Sequence, residues 1–225
     1  MTFPYTAWTS YVWTRNDDGF FIYISCATRF AKKVDGAWVV VDVAAHGDHK
    51  WDGATYVQNY GSTFLCLVSI YGEAQLTYLS EDGGDTWNEI TNDFDINDEI
   101  LWLDCWQGCW LALGEWADGE GGFWQGFKIS TDGQHWTSQA QMPAPLASGI
   151  KWECGSWTCL GEDGTIHIVG GDRFWHTAYY CKTGDLGETW SDPVVMIDTP
   201  DFFYLGGIGA YDGHVVIGGC LEADE

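Results

Sequence analysis

Two imidazoles and two carboxylates fall within seven residues in His46-Gly47-Asp48-His49-Lys50-Trp51-Asp52, a donor set that could hold a divalent transition metal. With a glycine in the middle of the run, the default reading is a solvated turn. The acidic runs Asp93-Phe94-Asp95-Ile96-Asn97-Asp98-Glu99 and Glu81-Asp82 through Asp85 offer oxygen ligands of the kind calcium takes. The first lacks the glycine and the closing glutamate of a helix-loop-helix calcium loop, so an acidic connecting loop accounts for it. No cofactor is therefore expected, with calcium the one alternative. Eight cysteines include two local pairs, Cys105/Cys109 and Cys154/Cys159. Their spacings are not the knuckle of structural zinc sites, and no histidine stands at a matching distance. Two readings stay open: small apolar filler in strands, or cross-strand disulfides formed in an oxidising destination such as a virus particle released by lysis.

The elements that must position these groups are bounded by composition. The chain has 225 residues, 9 Lys+Arg against 33 Asp+Glu, and a formal net charge of −24. Its 46% hydrophobic and 16% aromatic content, with 15 Trp, supplies enough apolar surface for a packed core and excludes disorder. Such acidity argues against a nucleic-acid partner, which needs Lys and Arg to displace counterions, and against an anionic membrane surface. No apolar run approaches the ~20 residues of a spanning helix. Met1-Thr2-Phe3-Pro4-Tyr5-Thr6 lacks the basic-then-apolar layout of a secretory signal. The tail Glu222-Ala223-Asp224-Glu225 reads as a solvated charge run.

The chain repeats. Ser80-Glu81-Asp82-Gly83-Gly84-Asp85-Thr86-Trp87, Ser130-Thr131-Asp132-Gly133-Gln134-His135-Trp136 and Thr183-Gly184-Asp185-Leu186-Gly187-Glu188-Thr189-Trp190 superpose. The second copy is one residue shorter and lacks the threonine. A degenerate fourth copy ends in Asp35-Gly36-Ala37-Trp38, so the closing tryptophans are 49, 49 and 54 residues apart. A fixed period in this range marks supersecondary units that must stack to bury their faces. Short β-rich runs such as Thr63 to Ser69, Ala74 to Ser80, Ile100 to Cys105, Cys109 to Leu113, Phe123 to Ile129 and Thr177 to Tyr180 lie between Gly, Asp and Asn turn signals. Helical periodicity is absent. Four strands per unit of about 50 residues is the blade of a β-propeller.

The expected fold is thus all-β: a small propeller, four-bladed with five as the alternative, forming one domain over 1–225. Blades are expected at about 54–90, 100–137 and 149–193. A fourth is shared between 202–222 and 5–43, so that strands from both ends clasp the ring and hide its edges.

The three motif copies resemble the Asp-box, or bacterial neuraminidase repeat. The resemblance implies a hairpin turn between the third and fourth strands of each blade, and assigns a structural role to Ser80, Asp82, Gly84, Thr86 and Trp87. The same role falls to Ser130, Asp132, Gly133 and Trp136, and to Thr183, Asp185, Gly187, Thr189 and Trp190. Physically these residues suit a turn: the aspartates accept amide bonds, the glycines permit positive φ, and the indoles bury large areas. Family members include sialidases, which clamp a carboxylate with three arginines. This chain has three in all, Arg15, Arg29 and Arg173, and lacks the family's Arg-Ile-Pro signature. Its expected ring is also two blades smaller. A two-carboxylate glycosidase stays open, although no acidic pair is singled out.

Trp102, Trp106, Trp110, Trp116 and Trp124 crowd into 23 residues, more than the turns require. Core packing is the default for them. Trp106, Trp116 and Trp124 are the candidates for an exposed aromatic surface that stacks on sugars or anchors a protein. The expected function is therefore a non-catalytic binding or structural module in an extracellular or bacteriophage virion assembly, docking a protein partner with a basic surface. A glycan-binding adhesin is the first alternative and a glycoside hydrolase the second.

Overall fold

The computed structural model describes residues 28–34, 37–44, 55–68, 75–118, 122–144, 146, 156–171, 176–199 and 202–222. Two strands, β1 (Thr28–Val34) and β2 (Ala37–Ala44), form a two-stranded sheet. Three four-stranded antiparallel meanders follow, each in chain order across its sheet. The first is β3 (Thr55–Tyr60), β4 (Thr63–Val68), β5 (Leu76–Ser80) and β6 (Asn88–Ile90). The second is β7 (Glu99–Trp106), β8 (Cys109–Ala117), β9 (Phe123–Ser130) and β10 (Thr137–Gln141). The third is β11 (Ser156–Leu160), β12 (Ile166–Gly171), β13 (Thr177–Thr183) and β14 (Val194–Asp198). A last two-stranded sheet joins β15 (Phe202–Tyr211) to β16 (His214–Glu222).

These three sheets span 55–90, 99–141 and 156–198, where blades were expected at about 54–90, 100–137 and 149–193. Where a blade shared by both ends was expected, the described residues form two separate ladders, β1–β2 and β15–β16, with no pairing between them. The part of the expected 5–43 segment before residue 28 lies outside the described residues. Strands β1, β3, β6, β10, β12 and β14 were not among the expected runs. Expected as a single domain, the chain clusters into two compact units, 1–110 with 130–136, and 111–129 with 137–225. No helix among the described residues is long and apolar enough to cross a membrane.

Tight turns set the registers. Gln107 and Gly108 both take positive φ (50° and 81°), as do Asp212 and Gly213 (49° and 70°). That conformation matches the right-handed twist of the flanking strands. Second strands are the most buried. From Phe64 to Val68 every side chain of β4 is inside, and β8 is buried from Trp110 to Gly114. Strands covered on both faces read as continuous apolar runs. In the first unit Val43, Val57, Phe64, Cys66, Val68 and Tyr78 form a core on which Val41, Leu76 and Trp87 pack. In the second, Val169, Ala178 and Leu205 are packed by Ile197, Ile208 and Ile217.

Candidate functional site

Each repeated motif is a turn between the third and fourth strands of its sheet, as the resemblance implied. In the first, Ser80 Oγ donates to Asp82 Oδ1 (2.8 Å) and accepts from the Gly84 amide (2.9 Å). Asp82 Oδ1 accepts the amides of Asp85 (3.0 Å) and Thr86 (2.9 Å), and Oδ2 takes the Thr86 hydroxyl at 2.6 Å. The third turn reproduces this set: Thr183 Oγ1 to Asp185 Oδ1 at 2.6 Å, and Thr189 amide and hydroxyl to the same carboxylate at 2.9 and 2.5 Å. Gly84 and Gly187 carry φ of 82° and 92°, which an L side chain rarely adopts.

The second turn differs in a way the motif comparison missed. His135 occupies the position before the tryptophan, where the other copies have threonine, and its Nδ1 lies 2.8 Å from Asp132 Oδ2. An imidazole N–H replaces the hydroxyl. Asp132 Oδ1 also accepts the Gln134 and His135 amides at 2.8 and 2.9 Å. Hydrogen bonds hold all three carboxylates below their ordinary range. The leading partners are the Thr86 hydroxyl for Asp82, His135 for Asp132 and the Thr183 hydroxyl for Asp185. His135 is pushed the other way, first by its bond to Asp132 and then by that carboxylate's charge.

The turns also fasten neighbouring segments within each unit. The Trp136 amide donates to the Asp93 carboxylate (3.0 Å), the Asp93 amide to the Gln134 carbonyl (3.2 Å), and the Trp136 ring lies 4.9 Å from Phe94. In the other unit Trp190 stacks on Phe127 (5.5 Å, 13°) and donates to the Ala140 carbonyl at 3.2 Å. Trp87 and Trp136 instead donate back to the carbonyls of their own Gly84 and Gly133. The box residues are thus consumed by architecture.

The acidic run after β6 is likewise used up locally. Asp95 Oδ1 caps Asn97, Asp98 Oδ2 accepts the Asp95 amide, and Asp93 holds Trp136. Among the described residues no three His, Cys, Asp or Glu side chains gather as metal ligands. The His46–Asp52 segment, Arg15, Arg173, Cys26 and Cys154 lie outside the described residues, as do the side chains of Arg29 and Cys220. Cys66, Cys105, Cys109 and Cys181 are free thiols. Burial pushes Cys105 up to about 11 and Cys181 up to about 12, so these behave as inert filler.

Of the three candidate aromatics, Trp116 is corrected. It is wholly buried, donates to the Gly126 carbonyl at 2.9 Å and carries Lys128 Nζ 4.5 Å over its ring. Its position on β8, the buried second strand, leaves no face for a ligand. Trp124 is half-buried, 6.2 Å from Trp116. Trp106 is half-buried on β7. Strand alternation puts Trp106 on one face with Trp102 and Asp104, and all three are half-buried. Burial pushes the Asp104 carboxyl up to about 6, against the lowering bond from the Cys105 amide. Asp104 escaped the sequence reading because one acid among 33 stands out only when its surroundings are known. On β12 and β13, His167 Nδ1 lies 2.8 Å from the Tyr180 hydroxyl. Burial lowers the imidazole and raises the phenol.

No family model matches the chain, and no curated protein does. Solved β-propellers do. The Hadza microbial sialidase Hz136 aligns at 14% identity and TM-score 0.51, covering 81% of this chain and 43% of that one. YCF48 from Cyanidioschyzon merolae aligns at 14% identity and TM-score 0.52, covering 80% and 53%. The phage phi92 endosialidase aligns at 12% identity and TM-score 0.51, covering 81% and 33%. The chain thus spans roughly half or less of the length of these structures. At such identity the likeness shows the fold alone, an all-β architecture of the β-propeller class. Fold and chemistry are separable.

Proposed function

We propose that this chain is a non-catalytic Asp-box propeller module that docks a basic macromolecular partner within an extracellular or virion assembly. One observation carries the reading: the carboxylates of all three repeated turns are spent on their own amides and hydroxyls. The repeats therefore build a scaffold and leave its surfaces to do the work. The formal charge of −24 favours a partner with a Lys/Arg-rich face and keeps copies apart. A phage protein among the structural neighbours makes a virion setting the natural first place to look. The reading requires no cofactor. Its test is the state of the protein in its native particle or extract. A defined complex that dissociates as salt rises supports it; a free monomer at every ionic strength refutes it.

Glycan recognition is the second reading, favoured by the row Trp102, Asp104 and Trp106 on one face of β7. Indoles flanking a largely desolvated carboxyl are suited to stack on a sugar ring and bond its hydroxyls. A glycan array that gives reproducible hits lost in Trp102→Ala would favour it over protein docking.

A further inference from the structure

The three four-stranded sheets place β6, β10 and β14 last in the sheet, β6 and β10 directly after the repeated turn and β14 three residues later, after Ser191-Asp192-Pro193. This gives an internal comparison. Edge strands carry unpaired N–H and C=O groups and are normally guarded by polar or charged side chains. On β6 Asn88 and Glu89 are exposed, and on β10 Thr137, Ser138, the small Ala140 and Gln141 are. The third sheet has Ser191 and Asp192 at the equivalent positions and departs from the rule further along its edge. On β14 Val194 and Val195 are each 53% exposed and Met196 50%, three consecutive half-exposed apolar side chains. The pairing with β13 runs Ala178↔Ile197 and Tyr179↔Val195, so Met196 is an extra residue that bulges from the ladder. Ile197 then turns inward to pack on the core of this unit. Exposed carboxylates bracket the strip, Glu188 and Asp192 before it and Asp198 at its end.

We infer that β14 is a docking edge for an extended segment of a partner protein, apolar at alternate positions and carrying Lys or Arg at its ends. This rests on the docking function proposed above and names its surface. Main-chain bonds to the outer edge of β14, which no described strand pairs, would supply affinity, and apolar side chains would cover Val194, Val195 and Met196. Basic ends would meet Asp192 and Asp198, setting register and excluding other partners. A second copy of this chain fits poorly. It would bring the same three carboxylates to the same strip, and each copy carries −24.

The test uses the full chain and two labelled synthetic peptides read by fluorescence anisotropy. One alternates valine and threonine between terminal lysines; the other has serine for every valine and the same charge. Covering half-exposed apolar side chains predicts that the valine peptide binds about tenfold more tightly. Met196→Lys and the double change Val194→Thr with Val195→Thr should erase that difference while leaving the circular dichroism and melting of the protein unchanged. Equal binding of the two peptides, or a preference that survives both variants, overturns the inference. So does a concentration-dependent dimer abolished by Met196→Lys, which would make the occupant a second copy. If the native salt-labile complex persists in the Met196→Lys protein, the docking edge is wrong and the broader function stands. If no complex exists with the unaltered protein, the broader function itself fails.

Discussion

Trp136→Ala isolates what a repeated turn contributes to the fold. The indole is 8% exposed, lies 4.9 Å from the Phe94 ring at 34°, and donates to the Gly133 carbonyl at 3.1 Å. Truncating a buried tryptophan costs about 3–5 kcal/mol. Within that, the aromatic pair accounts for about 0.5–1.5 kcal/mol and the indole hydrogen bond for about 1 kcal/mol. The backbone bonds from Trp136 to Asp93 and from Asp93 to Gln134 survive the change, so the loss should stay inside that range. Trp87→Ala should cost less. Trp87 is only half-buried, and its ring stands 6.3 Å from Phe64 at 57°. Because the chain forms two compact units, a single two-state midpoint is not assumed. Thiol labelling across a urea series, resolved by mass spectrometry, separates them, since Cys66 is fully buried in the unit that holds Trp136 and Cys181 in the other. The Cys66 midpoint should fall by the equivalent of about 3–5 kcal/mol, and a cycle with Phe94→Ala should return a coupling of about 1 kcal/mol. A loss under about 1 kcal/mol would show that the indole is not wedged against Phe94, and the architectural role of the turn would be refuted.

Further outcomes follow from the same turns. Gly133→Ala should destabilise more than Gly83→Ala: both sit near φ 75°, but a methyl at Gly133 would lie 2.6 Å from Leu65 Cδ1, whereas nothing lies within 4 Å of one at Gly83. Comparable urea midpoints would contradict the packing of that turn. The lowered Asp82 carboxylate contributes stability that is present above the ordinary carboxylate range and lost as pH falls toward its depressed value. Asp82→Asn should therefore lower stability at neutral pH and flatten the acid limb, as followed by circular dichroism. His135 has the opposite sign: its contribution is complete below the ordinary imidazole range and declines as pH rises through the raised value. His135→Thr, which restores the residue of the other two turns, should remove that dependence. An NMR titration placing His135 at or below the ordinary imidazole value would sink the idea.

Much of this was legible from spacing. Trp87, Trp136 and Trp190, each preceded by a Ser/Thr and an Asp, located three turns and with them the last two strands of three sheets. What escaped depended on partners distant in sequence. Strand β1 carries Lys32-Lys33 in the middle of its run, and only its pairing with β2, Lys32↔Val39 and Lys33↔Trp38, reveals it as a strand. Strand β12 is short and ends in two glycines, yet Ile166, Ile168 and Val169 are wholly buried. Residue type could not rank Trp116 against Trp106, because both are indoles on adjacent strands and burial alone divides them. The missing threonine of the second copy looked like a defect until the imidazole of His135 was seen bonding in its place. The apolar edge of β14 gained meaning only when β6 and β10 could be laid beside it.

Whether this scaffold docks or catalyses is tested most directly by turnover. The purified chain should release no fluorophore above blank from a panel of 4-methylumbelliferyl glycosides, sialosides included, between pH 4 and 8, the range in which a carboxyl such as Asp104, pushed up to about 6, changes charge. Saturable hydrolysis that disappears in Asp104→Asn would contradict the account and make the β7 face an active site.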